Sequence, residues 1–80
     1  MHCAHSIFRH HVRSSVVRSV GYDETDWVLQ VEFTGGKVHN FFRVPPEEFA
    51  RLMKATSVGA YFQREIKPYY EYEEEDGLDE

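Results

Sequence analysis

The sequence predicts an α+β fold: a three-stranded antiparallel β-meander followed by two helices packed on one face of the sheet. Three observations predict it. Residues 27–33 alternate, with Trp27, Leu29, Val31 and Phe33 on one side and Val28, Gln30 and Glu32 on the other, the period-two pattern of a half-buried strand. Gly35-Gly36 divides this run from a second strand-like run. Pro45-Pro46 then opens a stretch whose apolar residues recur at helical spacing.

The elements follow in order. Residues 15–22 (SVVRSVGY) are valine-rich and form the first strand. Asp23-Glu24-Thr25-Asp26 is a polar turn, and residues 27–33 are the second strand, with Trp27 at the core or its edge. A Gly-Gly pair suits a two-residue hairpin turn. That turn pairs Phe33 with Val38 and Leu29 with Phe42, and places His39, Phe41 and Arg43 on the open face. A three-residue loop reverses the faces; Asn40 on the core face is the weak point of the two-residue register, which is the expectation here. Residues 37–44 are the third strand. Pro46 fixes the φ of a helix start. Glu47 and Glu48 complement the positive end of the helix dipole, and Phe49, Leu52, Met53 and Thr56 make one face. Thr56 or Ser57 caps a shorter second helix lined by Val58, Phe62 and Ile66, and Pro68 stops it.

Length and charge bound the function. Eighty residues make one domain with a small core. Residues 1–13 read as an irregular extension, 14–70 as the domain, and 71–80 as a disordered acidic tail. Net charge is −5, but EYEEEDGLDE at 71–80 holds seven of the fourteen acids, which leaves nine Lys and Arg against seven acids in the body. A charge run of this kind is usually a solubilising end; the sharper reading is a nucleic-acid mimic folded back on a basic patch. One cysteine, Cys3, permits no internal disulfide, which fits a reducing cytoplasm. No apolar run is long enough to span a bilayer or to serve as a signal peptide.

The order of short motifs resembles the KTSC domain family, a module at the C-terminus of some lysyl-tRNA synthetases that also occurs as small stand-alone bacterial proteins. The resemblance rests on Ser14-Ser15, Gly21-Tyr22-Asp23, Leu29-x-Val31-x-Phe33 with Gly36, Val44-Pro45, Ala55-x-Ser57-x-Gly59-x-Tyr61-Phe62, and Ile66 with a Pro-Tyr pair after it. It implies RNA as a candidate partner. The family's central Tyr-x-Tyr is His39-Asn40-Phe41 here, so both rings remain and both phenolic hydroxyls are lost.

Four chemistries are open to these residues. Flat rings on a sheet stack unpaired bases and cations follow phosphates, so His39, Phe41 and Arg43, extended by Arg64, Lys67, Tyr69 and Tyr70, are the candidate RNA surface. A protein-docking module is the alternative, through an exposed edge strand and the tyrosines near the end. Cys3, His5, His10 and His11 match no structural zinc spacing, so no metal site is expected. Cys3 has no orienting triad and Gly35-Gly36 opens no helix, so no catalytic residues, cofactor or small-molecule substrate are assigned. The expectation is a noncatalytic binding module of the cytoplasm.

Overall fold

The computed structural model describes residues 7–75. Five strands, Arg9–His11 (β1), Val17–Asp23 (β2), Val28–Phe33 (β3), Val38–Phe41 (β4) and Tyr72–Glu75 (β5), form one antiparallel sheet in the order β1-β2-β3-β4-β5. Helix α1 spans Pro46–Lys54, and helix α2, Val58–Tyr61, runs on into a π turn over Phe62–Ile66. The class is α+β as the sequence predicts, with five strands in place of three. Both added strands come from the ends, β1 from the segment read as irregular and β5 from the run read as disordered. The β1 burial is shallow and β5 is exposed along its whole length. Such strands join a sheet through backbone pairing, which leaves no alternating side-chain pattern to read. Cys3 and His5, two of the residues that match no structural zinc spacing, and residues 76–80 lie outside the described residues.

A β-bulge between Val17 and Ser19 explains why SVVRSVGY does not alternate. The extra residue, Arg18, lets Val17 and Val20 both face the core although they are three apart. Ser19 turns the other way, opposite Glu32. The β2–β3 turn ends at Trp27, which adopts φ 59°. This left-handed conformation is uncommon for a bulky residue, and the side chain points outward, with Trp27 44% exposed. Trp27 therefore belongs to the turn and not to the strand face that its spacing predicts.

The β3–β4 hairpin corrects the register. Its loop has three residues, Thr34–Gly36, closed by Phe33 N–H to Lys37 O and Gly36 N–H to Phe33 O, both 2.8 Å. Gly36 takes φ 102°, where a side chain is strained. Leu29 consequently pairs with Phe41 and Val31 with His39. One residue of shift exchanges the faces: His39 and Phe41 turn to the helices, and Val38, Asn40 and Phe42 away from them.

The helices cover that face. Pro46 starts α1, Glu47 and Glu48 occupy its first turn, and Arg51 and Lys54 its last, each sign set against the opposite end of the dipole. Leu52 is fully buried, with Phe49 and Met53 half-buried beside it. Arg51 pairs with Glu48 at 3.1 Å, one turn back along the helix. The Ser57 hydroxyl caps α2 by accepting from Ala60 N–H at 3.2 Å. In the π turn Lys67 N–H reaches Phe62 O, and Phe62 and Ile66 both enter the core with Val17, Val20, Leu29, Val31, Phe41, Val44, Leu52 and Val58.

The opposite sheet face carries a belt of polar side chains across all five strands. Arg9 donates to Ser19 Oγ at 3.1 Å and to Gln30 Oε1 at 2.6 Å. Ser19 donates to Glu32, and Gln30 to Asn40 and Glu75. Asn40 also donates to Glu75. Buried amides need such partners, and here the end members are the cation of β1 and a carboxylate of β5. The belt thus fastens both edge strands to the central three.

Candidate functional site

The reversed face brings aromatic residues together where the β3–β4 hairpin, β5 and the π turn meet. A groove of about 370 Å³ opens there, lined by Val16, Phe33, Gly35, Lys37, His39, Phe41, Phe62, Gln63, Lys67 and Tyr72. Phe41 forms its floor and is only 1% exposed. The Phe62 ring stands edge-on to Phe41 at 5.3 Å and to Phe33 at 5.5 Å. His39 meets Phe33 edge-on at 4.9 Å. Tyr72 stacks on His39 with centroids 4.4 Å apart and planes 19° from parallel.

Charge sits at the rim. Lys37 and Lys67 are the cations lining the groove. Lys37 Nζ lies 3.4 Å from Glu74 Oε2, and His39 Nε2 lies 3.7 Å from Glu74 Oε1. The groove therefore offers ring faces and edges inside and ammonium groups at its mouth. One ring and one carboxylate of β5 already use both. A second hollow of about 530 Å³ lies on the polar face, lined in part by Arg9, His11, Ser19, Gln30, Glu32 and Glu75. Most of those polar groups are bonded to one another in the belt that crosses the sheet, whereas the aromatic groove keeps open volume among its rings and Lys67 at its rim.

The structure divides the residues that the sequence proposes as an RNA surface. His39, Phe41 and Lys67 meet in the groove, although His39 and Phe41 do so on the helix-covered face and not on the open one. Arg43 lies outside it, in a left-handed turn at φ 61°, with its guanidinium 4.0 Å from Glu71. Arg64 pairs with Glu65 at 3.2 Å and lies 6.0 Å from the Tyr61 ring centroid. Tyr69 is 72% exposed, and Tyr70 packs against the core. Neither lines the groove. Sequence reasoning missed Phe33, Lys37, Phe62 and Tyr72 as site residues. The misfit of Asn40 on a core face was the available signal: the three-residue loop puts Phe33, His39 and Phe41 on one face.

Tyrosines beside the site supply a pH prediction. The Tyr61 hydroxyl donates to Glu48 Oε2 at 2.8 Å. Burial, then this bond, raises its pKa. Burial first, and nearby carboxylates after it, raise Tyr22 and Tyr70 as well. A phenol whose native pKa is raised binds its proton longer in the folded state than in the unfolded one. Its contribution is complete below the unfolded value of about 10 and is lost as pH rises through the native value. The melting temperature is thus expected to fall as pH rises above about 10, with the ultraviolet phenolate signal appearing at the transition.

Comparison with known proteins agrees with this architecture. The KTSC domain family matches residues 13–70. An uncharacterised protein of Stutzerimonas stutzeri is 40% identical over 62 residues, covering 76% of this chain and 87% of the relative. A lysine–tRNA ligase of Nostoc punctiforme is 33% identical over 60 residues, which is 75% of this chain and 11% of the ligase. The crystal structure of a KTSC domain protein from Yersinia pestis superimposes with a TM-score of 0.83 at 28% identity, covering 89% of this chain and all of that one. The match to the family ends before β5 begins.

Proposed function

Because the chain belongs to the KTSC domain family, we propose that it is a small noncatalytic module that holds an unpaired base of single-stranded RNA in the aromatic groove. One observation carries the reading: β5 occupies the groove with a ring stacked on His39 and a carboxylate on Lys37. A flat ring with an anion beside it is what a nucleotide offers. The occurrence of a similar stretch within a lysine–tRNA ligase, a protein that by its name handles RNA, supports the same class of partner. The groove volume lies near the low end for ligand pockets, about 300–1,000 Å³, which suits one base. Stacking supplies ~1–3 kcal/mol per base, and Lys37 and Lys67 take the flanking phosphates. Glu74 competes for the same cation, so β5 weakens the affinity that it mimics.

The test is fluorescence anisotropy with a short single-stranded RNA at two salt concentrations. Two phosphate contacts give a log–log salt slope of about −1.4 on single strands. Lys37→Ala and Lys67→Ala are each expected to lower that slope by about 0.7. Glu74→Gln is expected to tighten binding roughly two- to five-fold, the size of an exposed ion pair. Absence of salt-dependent binding by both the native chain and Glu74→Gln would end the RNA reading. The backbone pairing of β5 with β4 favours a second reading, in which an acidic, aromatic peptide adds to that edge. Competition by a YEEE-type peptide without any RNA affinity distinguishes it.

A further inference from the structure

A second aromatic hollow lies apart from the groove, where β1, β2 and the start of α1 meet. Tyr22 stacks on Phe49 with centroids 4.7 Å apart and planes 9° from parallel. Phe8 meets His10 edge-on at 4.9 Å. With Glu24 and Pro46, these two ring pairs line a hollow of about 340 Å³. The Tyr22 hydroxyl is committed, donating to Val44 O at 2.5 Å. What Tyr22 offers a ligand is its ring.

The charge around this hollow is negative. After burial, the carboxylates of Glu24, Glu47 and Asp23 all push the Tyr22 phenol up, and Glu24 itself lines the hollow. Glu24 and Glu47 make no ion pair with any of the described residues. Rings attract cations through their faces, and the carboxylates of Glu24 and Glu47 add to that attraction. An anionic ligand such as RNA is repelled here, so the hollow is chemically unlike the groove, whose lining cations are lysines.

We propose that this hollow binds an ammonium group of a small aliphatic polyamine. The rings take the ammonium and its adjoining methylenes, and Glu24 accepts its N–H groups. A second ammonium along the same chain meets Glu47. A quaternary ammonium, lacking N–H donors, leaves those carboxylates without hydrogen bonds. The hollow is small for a drug-sized ligand and suits one cationic head with a few carbons.

The experiment is calorimetric titration of the full chain with spermidine, repeated on three variants. Phe8, 77% exposed, and Glu24, also exposed, are expected to be substituted without loss of the fold. Phe8→Ala and Glu24→Gln are each expected to weaken spermidine binding about five-fold, the scale of one cation–π or ionic contact. The double variant Glu73→Gln/Glu74→Gln is expected to leave the affinity unchanged within about two-fold, because those acids lie on β5. Native-like affinity in Phe8→Ala and Glu24→Gln overturns the assignment. So does loss of binding in the β5 variant, which identifies the acidic strand as the collector of the cation. An uncharged diol of similar length is expected to give no heat, and equal binding of that diol also overturns it.

Discussion

Phe41→Ala is expected to remove about 3–5 kcal/mol of stability, the usual cost of truncating a buried phenylalanine. The ring is 1% exposed, pairs across the sheet with Leu29, and touches Phe62 and Tyr72 at 5.3 Å each. Its removal takes the floor from the groove and leaves a cavity that sheet and π turn close only partly. A domain of this size shifts its melting point by about 4–8 °C per kcal/mol. The variant is therefore expected to melt at least ~12 °C lower by circular dichroism, or to be unfolded at 37 °C. Phe41→Leu keeps most of the volume and is expected to lose much less, under about 1.5 kcal/mol after repacking. A melting point for Phe41→Ala within a few degrees of native would mean that the ring stands on the open face, as the two-residue hairpin loop predicts.

Gly59→Val is expected to cost about 2–4 kcal/mol, from overpacking together with lost hydrogen bonds. Gly59 is buried in α2, and a Cβ there meets Ser14 Oγ at 2.5 Å, Ser14 Cβ at 3.6 Å and Val16 Cβ at 4.0 Å. The Ser14 hydroxyl is not free to move aside. It accepts from Val16 N–H at 3.1 Å and Val17 N–H at 3.2 Å, holding the entry to β2. Valine at 59 must either push α2 off the sheet or break that bend. Ser14→Ala tests the second half alone and is expected to cost about 1 kcal/mol. In the double variant the two losses are expected to overlap, because a smaller residue at 14 relieves part of the clash.

These contacts explain what the family-like motifs do. Ser14 and Gly59 meet each other, although 45 positions separate them in the sequence. Gly21 lets β1 cross close by: a Cβ there meets Phe8 O at 2.5 Å. Tyr22 reaches Val44 O, Asp23 Oδ1 accepts from Thr25 and Asp26 N–H to shape the turn, and Ser57 caps α2. Most residues that carry the resemblance hold the fold together; of the groove lining, Phe33 and Phe62 belong to that set. The motif string thus identifies the architecture and says less about the ligand.

Local rules made much of this legible. The prolines, paired acids and apolar spacing that define α1 act within one turn, and a hydroxyl residue at 56 or 57 marks the cap of α2 by residue type alone. The register was not legible, because one loop residue decides it and Gly35-Gly36 satisfies either loop. The edge strands were not legible either. Tyr72–Glu75 has no buried face to betray it, and a run of acids is ordinarily solvated; here Glu75 joins the amide belt and Glu74 meets Lys37. Trp27 misled because its spacing fits β3 while its backbone belongs to the turn. The edge-strand errors concern how distant segments meet, and the groove, with Tyr72 of β5 in its lining, depends on one such meeting.

The central claim is that the groove under β5 receives a base. Amide and aromatic chemical shifts recorded while a short single-stranded RNA is added to the full chain test it most directly. The expected result is a connected set of shifts at Phe33, Lys37, His39, Phe62, Gln63 and Tyr72, fading as salt is raised. Shifts confined to the polar face around Gln30 and Asn40, or no shifts at all at low salt, would contradict it.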